Sequence, residues 1–307
     1  MKEFLFKISF YIIGIAAVLL FLGSYADGNT DDNYMHFAVK KPHNIILGDS
    51  RGAQGIVPEV LKTKLSVPFD NFSLNIGDSP YGQVYLKALK RKLDPDTKDG
   101  IFIVTVSPWN LSLNELIPNE EDFPEKRSPL NNMYFYDWTY NYEYLLKNYT
   151  RSWFKIYMER ESAVGRSNTF LHKDGWMEVN VNMHKDSIAA RTAKKTREYE
   201  VQERKNYYLS PQRLAALNEI IGFLRTRGRV CLVRIPTSKN LTDIENRKFP
   251  QFKKIIQDIS HKQNVKYYDF SEDFYKYVYT DGNHMYKESG KKLTSRIADS
   301  LKSFRKN

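Results

Sequence analysis

Short apolar runs recur along the sequence at spacings that leave room for a helix between them, and they constrain the fold more than any other feature. The first three cover 44–47, 69–76 and 101–106, and two more follow at 229–236 and 265–270. The third run is almost continuously apolar and rich in β-branched residues, which is typical of a strand covered on both faces of a parallel sheet. Strands separated by helices predict an α/β fold, a three-layer α/β/α sandwich with a parallel, flavodoxin-like sheet.

Amphipathic segments lie between the apolar runs and supply the predicted helices. Pro58 suits the first turn of a helix, residues 81–93 carry apolar side chains at helical spacing, and Ser210 is a suitable N-cap for a helix over 214–224. Two further helices are expected at 252–261 and at the closing pattern Leu293, Ile297 and Leu301. The chain from 43 to 307 is therefore expected to form one α/β domain.

The alternation of strand and helix lapses in the middle of the chain, which predicts a large insertion after the third strand, at about 112–208. Residues 131–149 are crowded with aromatic side chains. They could form the insertion's own core or a sugar-stacking or membrane-contacting surface, and we favour the core. Residues 187–206 are rich in charge and are expected to form a solvated helix rather than a dedicated binding element.

The N-terminal segment is the most hydrophobic part of the chain. Residues 8–22 are apolar or aromatic apart from Ser9, and Lys2 and Lys7 precede them. Residues 1–26 are therefore predicted to be a transmembrane anchor or, because 24–26 read Ser-Tyr-Ala, a cleaved signal peptide; we favour the anchor. The following residues, 27–42, read as a short polar stalk. The lysines place the domain outside the cytoplasm, in the periplasm or at the cell surface, or secreted if the segment is cleaved.

The charge balance points to anionic partners. The formal net charge is +11, which favours contact with phospholipid headgroups or an anionic polymer. Nucleic acid is not expected as a partner, because no DNA- or RNA-binding motif accompanies the charge. The single cysteine, Cys231, lies in an apolar run and is expected to be a core residue.

Three polar residues at the ends of predicted strands could do chemistry together. Ser50 follows the first strand in the stretch Gly48-Asp49-Ser50, and Asp281 and His284 lie three positions apart just before the last helix. Chemically, Ser50 needs a base, which His284 can supply, and Asp281 can orient the imidazole. We predict that these three residues are catalytic.

The order of these residues resembles the four blocks of the SGNH (GDSL) hydrolase superfamily. Gly48-Asp49-Ser50, Gly77 after the second strand, Asn110 after the third, and Asp281 with His284 correspond to the blocks in chain order. The third block departs from the family pattern, because Pro108-Trp109-Asn110-Leu111 lacks its glycine and aspartate. Ser50, Gly77 and Asn110 would then supply the oxyanion hole. The nucleophile elbow of α/β-hydrolases fits less well, because that fold places its serine after several strands.

Other candidates for chemistry are weaker. A second Gly-Asp-Ser stretch, ending at Ser79, precedes a predicted helix, so Ser79 is expected to be an N-cap rather than the nucleophile. The remaining histidines show no metal-ligand spacing and no phosphate-binding glycine loop is present, so neither a metal nor a cofactor is expected.

The resemblance implies an extracytoplasmic serine esterase or O-acyltransferase. Its substrate would be acyl esters, with acetyl esters favoured, of a cell-envelope polysaccharide or similar anionic polymer. Membrane-tethered members similar to the D-alanine-transfer and alginate-acetylation proteins work beside a membrane-bound O-acyltransferase, which is therefore an expected partner. The alternative is a non-catalytic envelope scaffold of the same fold that binds glycan or such an acyltransferase. The acyl acceptor would be either water or a hydroxyl group.

Overall fold

The computed structural model describes residues 1–117, 119–164, 167–202 and 206–302. Its strands are β1 (Ile45–Gly48), β2 (Asp70–Ser73), β3 (Gly100–Thr105), β4 (Ser112–Asn114), β5 (Thr169–Leu171), β6 (Met177–Val179), β7 (Tyr207–Leu209), β8 (Gly228–Arg234) and β9 (Lys266–Asp269). The α-helices are α1 (Lys2–Gly23), α2 (Tyr34–Ala38), α3 (Ser50–Gly55), α4 (Pro58–Leu65), α5 (Gln83–Lys92), α6 (Pro129–Asn132), α7 (Tyr142–Lys147), α8 (Trp153–Glu159), α9 (Glu161–Val164), α10 (Lys185–Arg197), α11 (Pro211–Arg225), α12 (Lys239–Lys248), α13 (Phe252–Gln263) and α14 (Lys287–Leu301).

Five parallel strands form the central sheet in the order β2-β1-β3-β8-β9. Counted along the chain, this order is 2-1-3-4-5, so the predicted flavodoxin-like sheet is confirmed. Leu47 of β1 lies between Phe72 of β2 and Val104 of β3, which aligns the carboxyl ends of the three strands. All five strands fall on the predicted apolar runs, with ends shifted by a few residues.

The two faces of the sheet bury separate clusters of side chains, as expected for a three-layer sandwich. Along β3, Phe102 and Val104 face one cluster, whereas Ile101 and Ile103 face the other. The first face is covered by α5, α11 and α13, and the second by α4 and α14. The predicted N-cap is confirmed, because the Ser210 hydroxyl accepts a hydrogen bond from the backbone N–H of Arg213 at the start of α11.

The segment between β3 and α11 leaves and returns to the domain through a short antiparallel pair. Ser112 of β4 pairs with Leu209 of β7, so the beginning and the end of this segment lie next to each other. Its aromatic stretch is divided: Tyr136 and Tyr144 are buried in the main core, while Tyr134 is exposed. Its charge-rich stretch forms α10, which buries none of its residues, as expected of a solvated helix. Residues 203–205 of that predicted stretch lie outside the described residues.

The predicted polar stalk is wrong. Helix α2 falls within 27–42, and Tyr34, His36 and Phe37 are each fully buried. These side chains pack on Phe72 of β2, Tyr136 and Tyr144, so the segment belongs to the core of the domain. The physical reason is that a few large aromatic side chains in a short helix bury enough apolar surface to outweigh the polar residues around them.

Helix α1 extends from this core and matches the predicted N-terminal hydrophobic segment. It has 22 residues, and its most apolar stretch of 18 residues has a mean hydropathy of 2.4 and is not buried within the protein. By length and composition it can cross a membrane, either as an anchor or as a signal sequence.

Candidate active site

Ser50 lies where the first strand of the sheet turns into a helix. β1 ends at Gly48, and α3 begins at Ser50. A Cβ at Gly48 would overlap Oγ1 of Thr105 on β3, so this strand end requires glycine. Asp49 caps the helix, because its Oδ1 accepts a hydrogen bond of 3.0 Å from the backbone N–H of Arg51. The Ser50 hydroxyl is thereby held, partly exposed, at the carboxyl edge of the sheet.

The structure brings Ser50, His284 and Asp281 into one hydrogen-bonded chain. Ser50 Oγ lies 2.8 Å from His284 Nε2, and His284 Nδ1 lies 2.9 Å from Asp281 Oδ2. The carboxylate selects the tautomer in which Nδ1 carries the proton, which makes Nε2 the nitrogen that can accept the hydroxyl proton. This arrangement has the geometry of a nucleophile, a base and an orienting acid.

The loop that carries Asp281 and His284 is closed at both ends. Tyr279 and Met285 form an isolated bridge, and the backbone N–H of Thr280 donates to the His284 carbonyl at 2.9 Å. Gly282 at the tip has a φ of +82°, a conformation that L side chains rarely adopt. These contacts fix the imidazole relative to the end of β1.

The hydrogen bonds around Asp281 stabilise its ionised form. Burial alone would raise the pKa of this carboxyl, but the imidazole of His284 and the backbone N–H groups of His284 and Asn283 outweigh it and hold the pKa well below its ordinary value. The two backbone bonds to Oδ1 measure 2.8 and 2.9 Å. The Asp281 carboxyl is therefore held as an anion beside Nδ1 of His284.

Asn283 contacts the imidazole and is held by Arg51, and neither contact was predicted from the sequence. Asn283 Nδ2 lies 3.1 Å from His284 Nε2, and Arg51 Nε donates to Asn283 Oδ1 at 2.9 Å. Arg51 directly follows the serine, so the residue after the nucleophile and the residue before the histidine hold each other. Asn283 is thus placed to orient the ring of His284.

Glu245 on α12 anchors Arg51 from beneath the site. Its Oε1 accepts hydrogen bonds from Arg51 Nη2 at 2.5 Å and from Trp109 Nε1 at 2.8 Å, and Arg234 at the end of β8 reaches its other oxygen at 3.3 Å. Burial alone would raise the pKa of Glu245, but the two guanidinium groups outweigh it and hold the pKa below its ordinary value. No local sequence pattern predicts this network, because Arg51 and Glu245 are 194 positions apart in the chain.

The insertion also reaches the site. The hydroxyl of Tyr199 donates to Asn283 Oδ1 at 2.8 Å, and Arg191 Nε on α10 donates to the Thr280 carbonyl at 2.7 Å. A Cβ at Gly282 would lie 2.9 Å from Thr192 Cγ2, so α10 packs closely on the loop of Asp281 and His284. The charge-rich helix is solvated on its outer side and braces the candidate site on its inner side.

The predicted oxyanion-hole donors Gly77 and Asn110 already donate hydrogen bonds to other groups of the protein. The Gly77 backbone N–H donates to Asn75 Oδ1 at 2.8 Å. Asn110 is fully buried, and its Nδ2 donates to the Thr105 carbonyl at 3.2 Å. The prediction is corrected for Asn110, because a side chain without exposed surface cannot touch a substrate. Of the three predicted donors, Ser50 keeps its place at the start of α3.

The second Gly-Asp-Ser stretch has a structural role that differs from the predicted N-cap. Helix α5 starts at Gln83 and is preceded by Gly82, so Ser79 does not cap it. Ser79 is instead fully buried, and its hydroxyl lies 2.8 Å from the carbonyl of Gly48, to which it donates. The second serine thus supports the strand end that presents the first.

Two residues from the sequence analysis lie away from the site. Cys231 is fully buried, as predicted. His172 contacts Glu178 at 2.9 Å, on the hairpin of β5 and β6. Within the described ranges, no group of three or more histidine, cysteine or acidic side chains is arranged to hold a metal ion.

Comparison with known proteins gives similarity in structure. No family model matches the sequence, and no curated protein matches it. Est24, a carbohydrate acetylesterase from Sinorhizobium meliloti, is 11% identical, with 85% of this chain and 99% of that chain covered and a TM-score of 0.39. A lipase/acylhydrolase from Enterococcus faecalis is 12% identical, with 85% and 96% covered and a TM-score of 0.40. The aryl esterase of M. smegmatis is 11% identical, with 85% and 99% covered and a TM-score of 0.33. Similarity at this level carries no argument about function.

Proposed function

We propose that this chain is a serine esterase or acylhydrolase of SGNH type. The observation that carries the proposal is the hydrogen-bonded chain from Ser50 Oγ through the His284 imidazole to Asp281, with contacts of 2.8 and 2.9 Å. A serine at a solvated sheet edge does not need this series of hydrogen bonds for the stability of the fold. The same three groups in this order activate a hydroxyl for attack on an acyl carbon.

The reaction follows from the positions of these atoms. Ser50 Oγ forms a bond to the acyl carbon while its proton passes to His284 Nε2. Asp281 stabilises the imidazolium, which then protonates the leaving alcohol as the ester C–O bond breaks. Water or an acceptor hydroxyl repeats these steps in reverse and releases Ser50. Proton transfer by a positioned base contributes about 10²- to 10⁴-fold to such reactions.

The Ser50 backbone N–H is our proposed donor to the developing oxyanion. It occupies the first position of α3, where helix N–H groups lack intrahelical partners. The Gly77 N–H would join it only after release from Asn75, a side chain that is itself exposed. The resting site therefore offers fewer preorganised donors than the sequence predicted.

The proposed setting is the outer face of a cell membrane. Helix α1 is long and apolar enough for an anchor, and Lys2 and Lys7 near its amino end favour a cytoplasmic N-terminus. The net charge of +11 favours an anionic polymer such as an acylated envelope polysaccharide as substrate. Transfer of the acyl group to a polymer hydroxyl, beside a membrane-bound O-acyltransferase, is the variant of this proposal that the motif resemblance to membrane-tethered members of the superfamily implies.

A non-catalytic scaffold is the second candidate function. It is favoured by one observation: Asn110 is buried and the Gly77 N–H is already bonded, so two expected oxyanion donors are engaged. A scaffold would keep the fold and bind a glycan or membrane partner without turnover.

Active-site labelling separates the two functions. The full chain in detergent is treated with a fluorophosphonate, and the modified peptide is identified by mass spectrometry. An esterase gives label on Ser50, lost in Ser50→Ala and in His284→Ala but kept in Ser79→Ala. An unlabelled wild-type chain would favour the scaffold. In cells, a polymer acyl content that is the same with Ser50→Ala as with the wild type would contradict an envelope acyl substrate.

A further inference from the structure

The last turn of α1 is held by a part of the insertion that we call the collar, residues 142–160. The hydroxyl of Tyr142 donates to the Leu20 carbonyl at 2.6 Å. The Tyr142 ring also lies so close to Gly23 that an added Cβ would be 2.5 Å from its Cε1. On α8, the Tyr157 ring centroid is 6.0 Å from that of Phe21. The collar is therefore attached to the helix itself rather than connected to it by a flexible linker.

Helix length sets the depth of the collar if α1 spans a bilayer. At about 1.5 Å per residue, 22 residues are about 33 Å long, close to the roughly 30 Å of a hydrocarbon core. With the amino end of α1 at one interface, its last turn lies at the other. The groups that touch Leu20, Phe21 and Gly23 then lie at the level of the lipid headgroups.

The collar is built as one packed unit. Trp153 stacks on Tyr142 with ring centroids 6.4 Å apart, and Ile156 of α8 is buried. The guanidinium of Arg160 lies 3.8 Å from the Tyr157 ring and 5.0 Å from the Tyr25 ring. The outward side chains of α7 and α8 consequently have a fixed direction relative to α1.

The exposed apolar side chains of the domain concentrate in and just before the collar. Outside residues 1–23, the described part of the chain exposes twelve large apolar side chains, and seven of them fall within 134–158. In the collar these are Leu146, Phe154 and Met158, which are 71%, 58% and 46% exposed. Scattered exposed side chains need no explanation, but exposed apolar side chains on two helices that contact a membrane anchor suit a surface that meets lipid.

The charges of the collar suit the same partner. Residues 142–160 contain four basic side chains, Lys147, Arg151, Lys155 and Arg160, against two acidic ones, Glu143 and Glu159. Basic and aromatic groups beside a spanning helix are favoured at the headgroup level of anionic membranes.

We propose that the collar is a membrane-contacting surface whose Leu146, Phe154 and Met158 side chains insert into the interface of the leaflet from which the domain emerges. This rests on the proposed membrane anchor and goes beyond it, because it fixes the orientation of the domain. With no stalk between α1 and the core, Ser50 is held at a constant height above the lipid. The substrate groups it can reach are then limited to those that come to that height.

Depth-dependent quenching tests the collar in the full chain. Cysteine is placed at Phe154 or Leu146 and labelled with an environment-sensitive fluorophore, while the buried native Cys231 is replaced by alanine. Each chain is reconstituted in phosphatidylcholine vesicles containing phosphatidylglycerol, with and without nitroxide-labelled lipid. Ile13→Cys reports insertion of α1. Tyr275→Cys is the matched control, because Tyr275 is 71% exposed and follows β9, the sheet edge opposite β2.

We expect a blue shift and a quencher-dependent loss of emission at positions 154 and 146, and neither at 275. Quenching at 13 but not at 154 or 146 would overturn the collar and leave the anchor standing, with water or a protein partner against this surface. Quenching at 154 without quenching at 13 would support the collar and contradict the anchor. Absence of quenching at all of these positions would overturn both. Circular dichroism of each labelled chain verifies that it is folded.

Discussion

The chain contains the tripeptide Gly-Asp-Ser twice, and the two copies have opposite roles. In the first, Ser50 is partly exposed at the start of α3 and lies 2.8 Å from His284 Nε2. In the second, Ser79 is fully buried and donates to the carbonyl of Gly48 at 2.8 Å. The three residues are the same, so their chemistry follows from the element they end and from the groups that surround them.

The surroundings differ in three physical respects. The first copy joins a central strand to a helix, whereas the second lies in a turn beyond the edge strand β2. Gly48 is in close contact with Thr105, whereas the nearest neighbour of a Cβ at Gly77 would be the exposed Asn75 side chain. The first copy is followed by Arg51, which is tied into the buried network of Glu245, and the second is followed by proline. Each difference can be tested by paired substitutions.

The largest contrast is expected in turnover of an activated ester. Ser50→Ala should lower kcat/KM by about 10⁴-fold or more, because the nucleophile is lost, with little change in melting temperature. Ser79→Ala should keep most of the activity and lose about 1 kcal/mol of stability through its buried hydrogen bond to Gly48. Steady-state kinetics and thermal melts measure both. Equal losses of activity in the two variants would remove the distinction between the serines.

Asp281 and Asp78 should also respond in opposite ways. Asp281→Asn should lower kcat by about 10⁴-fold, because the amide no longer selects the productive tautomer of His284. Asp78→Asn should be neutral or slightly stabilising at neutral pH, because burial raises the pKa of Asp78 and disfavours its charge. Ester hydrolysis and urea unfolding of both variants provide the measurement.

The pH dependence has a definite sign at Asp281. Its pKa in the folded state lies below the ordinary 3.8, so it contributes stability that is present above the ordinary value and is lost as pH falls through the folded value. The stability difference between wild type and Asp281→Asn should therefore shrink as unfolding is measured at successively lower pH below about 4. A difference that grows on acidification would contradict the hydrogen-bonding account.

Removing the charge of Glu245 should destabilise the protein, because it breaks the buried network that holds Arg51 next to the first Gly-Asp-Ser copy. Glu245→Gln leaves the buried Arg51 and Arg234 without their carboxylate, which typically costs about 3 to 5 kcal/mol. Urea unfolding measures the loss. Glu59→Gln on the exposed surface of α4 is the matched control and should change stability by less than about 0.5 kcal/mol. A neutral Glu245→Gln would show that the network contributes little to holding Arg51.

The smallest expected contrast separates the two glycines. Gly48→Ala places a methyl group against Thr105 Oγ1 and should destabilise by about 1 to 3 kcal/mol, because β1 and β3 are paired strands that cannot separate freely. Gly77→Ala meets only the Asn75 side-chain oxygen at 3.2 Å and should lie within about 0.5 kcal/mol of wild type. Thermal melts of both variants give the comparison, and similar losses would refute it.

The stalk and the oxyanion donors show where sequence reasoning failed. Helix α2 has five residues, too short for a periodic pattern, yet Tyr34 and Phe37 lie in the main core. Asn110 has the residue type and chain position of an oxyanion donor, but its side-chain amide donates to the Thr105 carbonyl in the protein interior. Both outcomes depend on partners distant in sequence or on side-chain direction, which local patterns do not encode.

By itself the sequence determined the strands of a parallel sheet, the helices between them, the long apolar helix at the N-terminus and the positions of Ser50, Asp281 and His284 at the ends of their elements. These follow from hydrophobic periodicity and turn-forming residues, which act over a few neighbouring positions. The tertiary structure decided which Gly-Asp-Ser copy contacts an imidazole, that Arg51 pairs with Glu245 and that the collar contacts α1. Those contacts join residues far apart in the chain, and their geometry exists only once the sheet and the insertion have packed together.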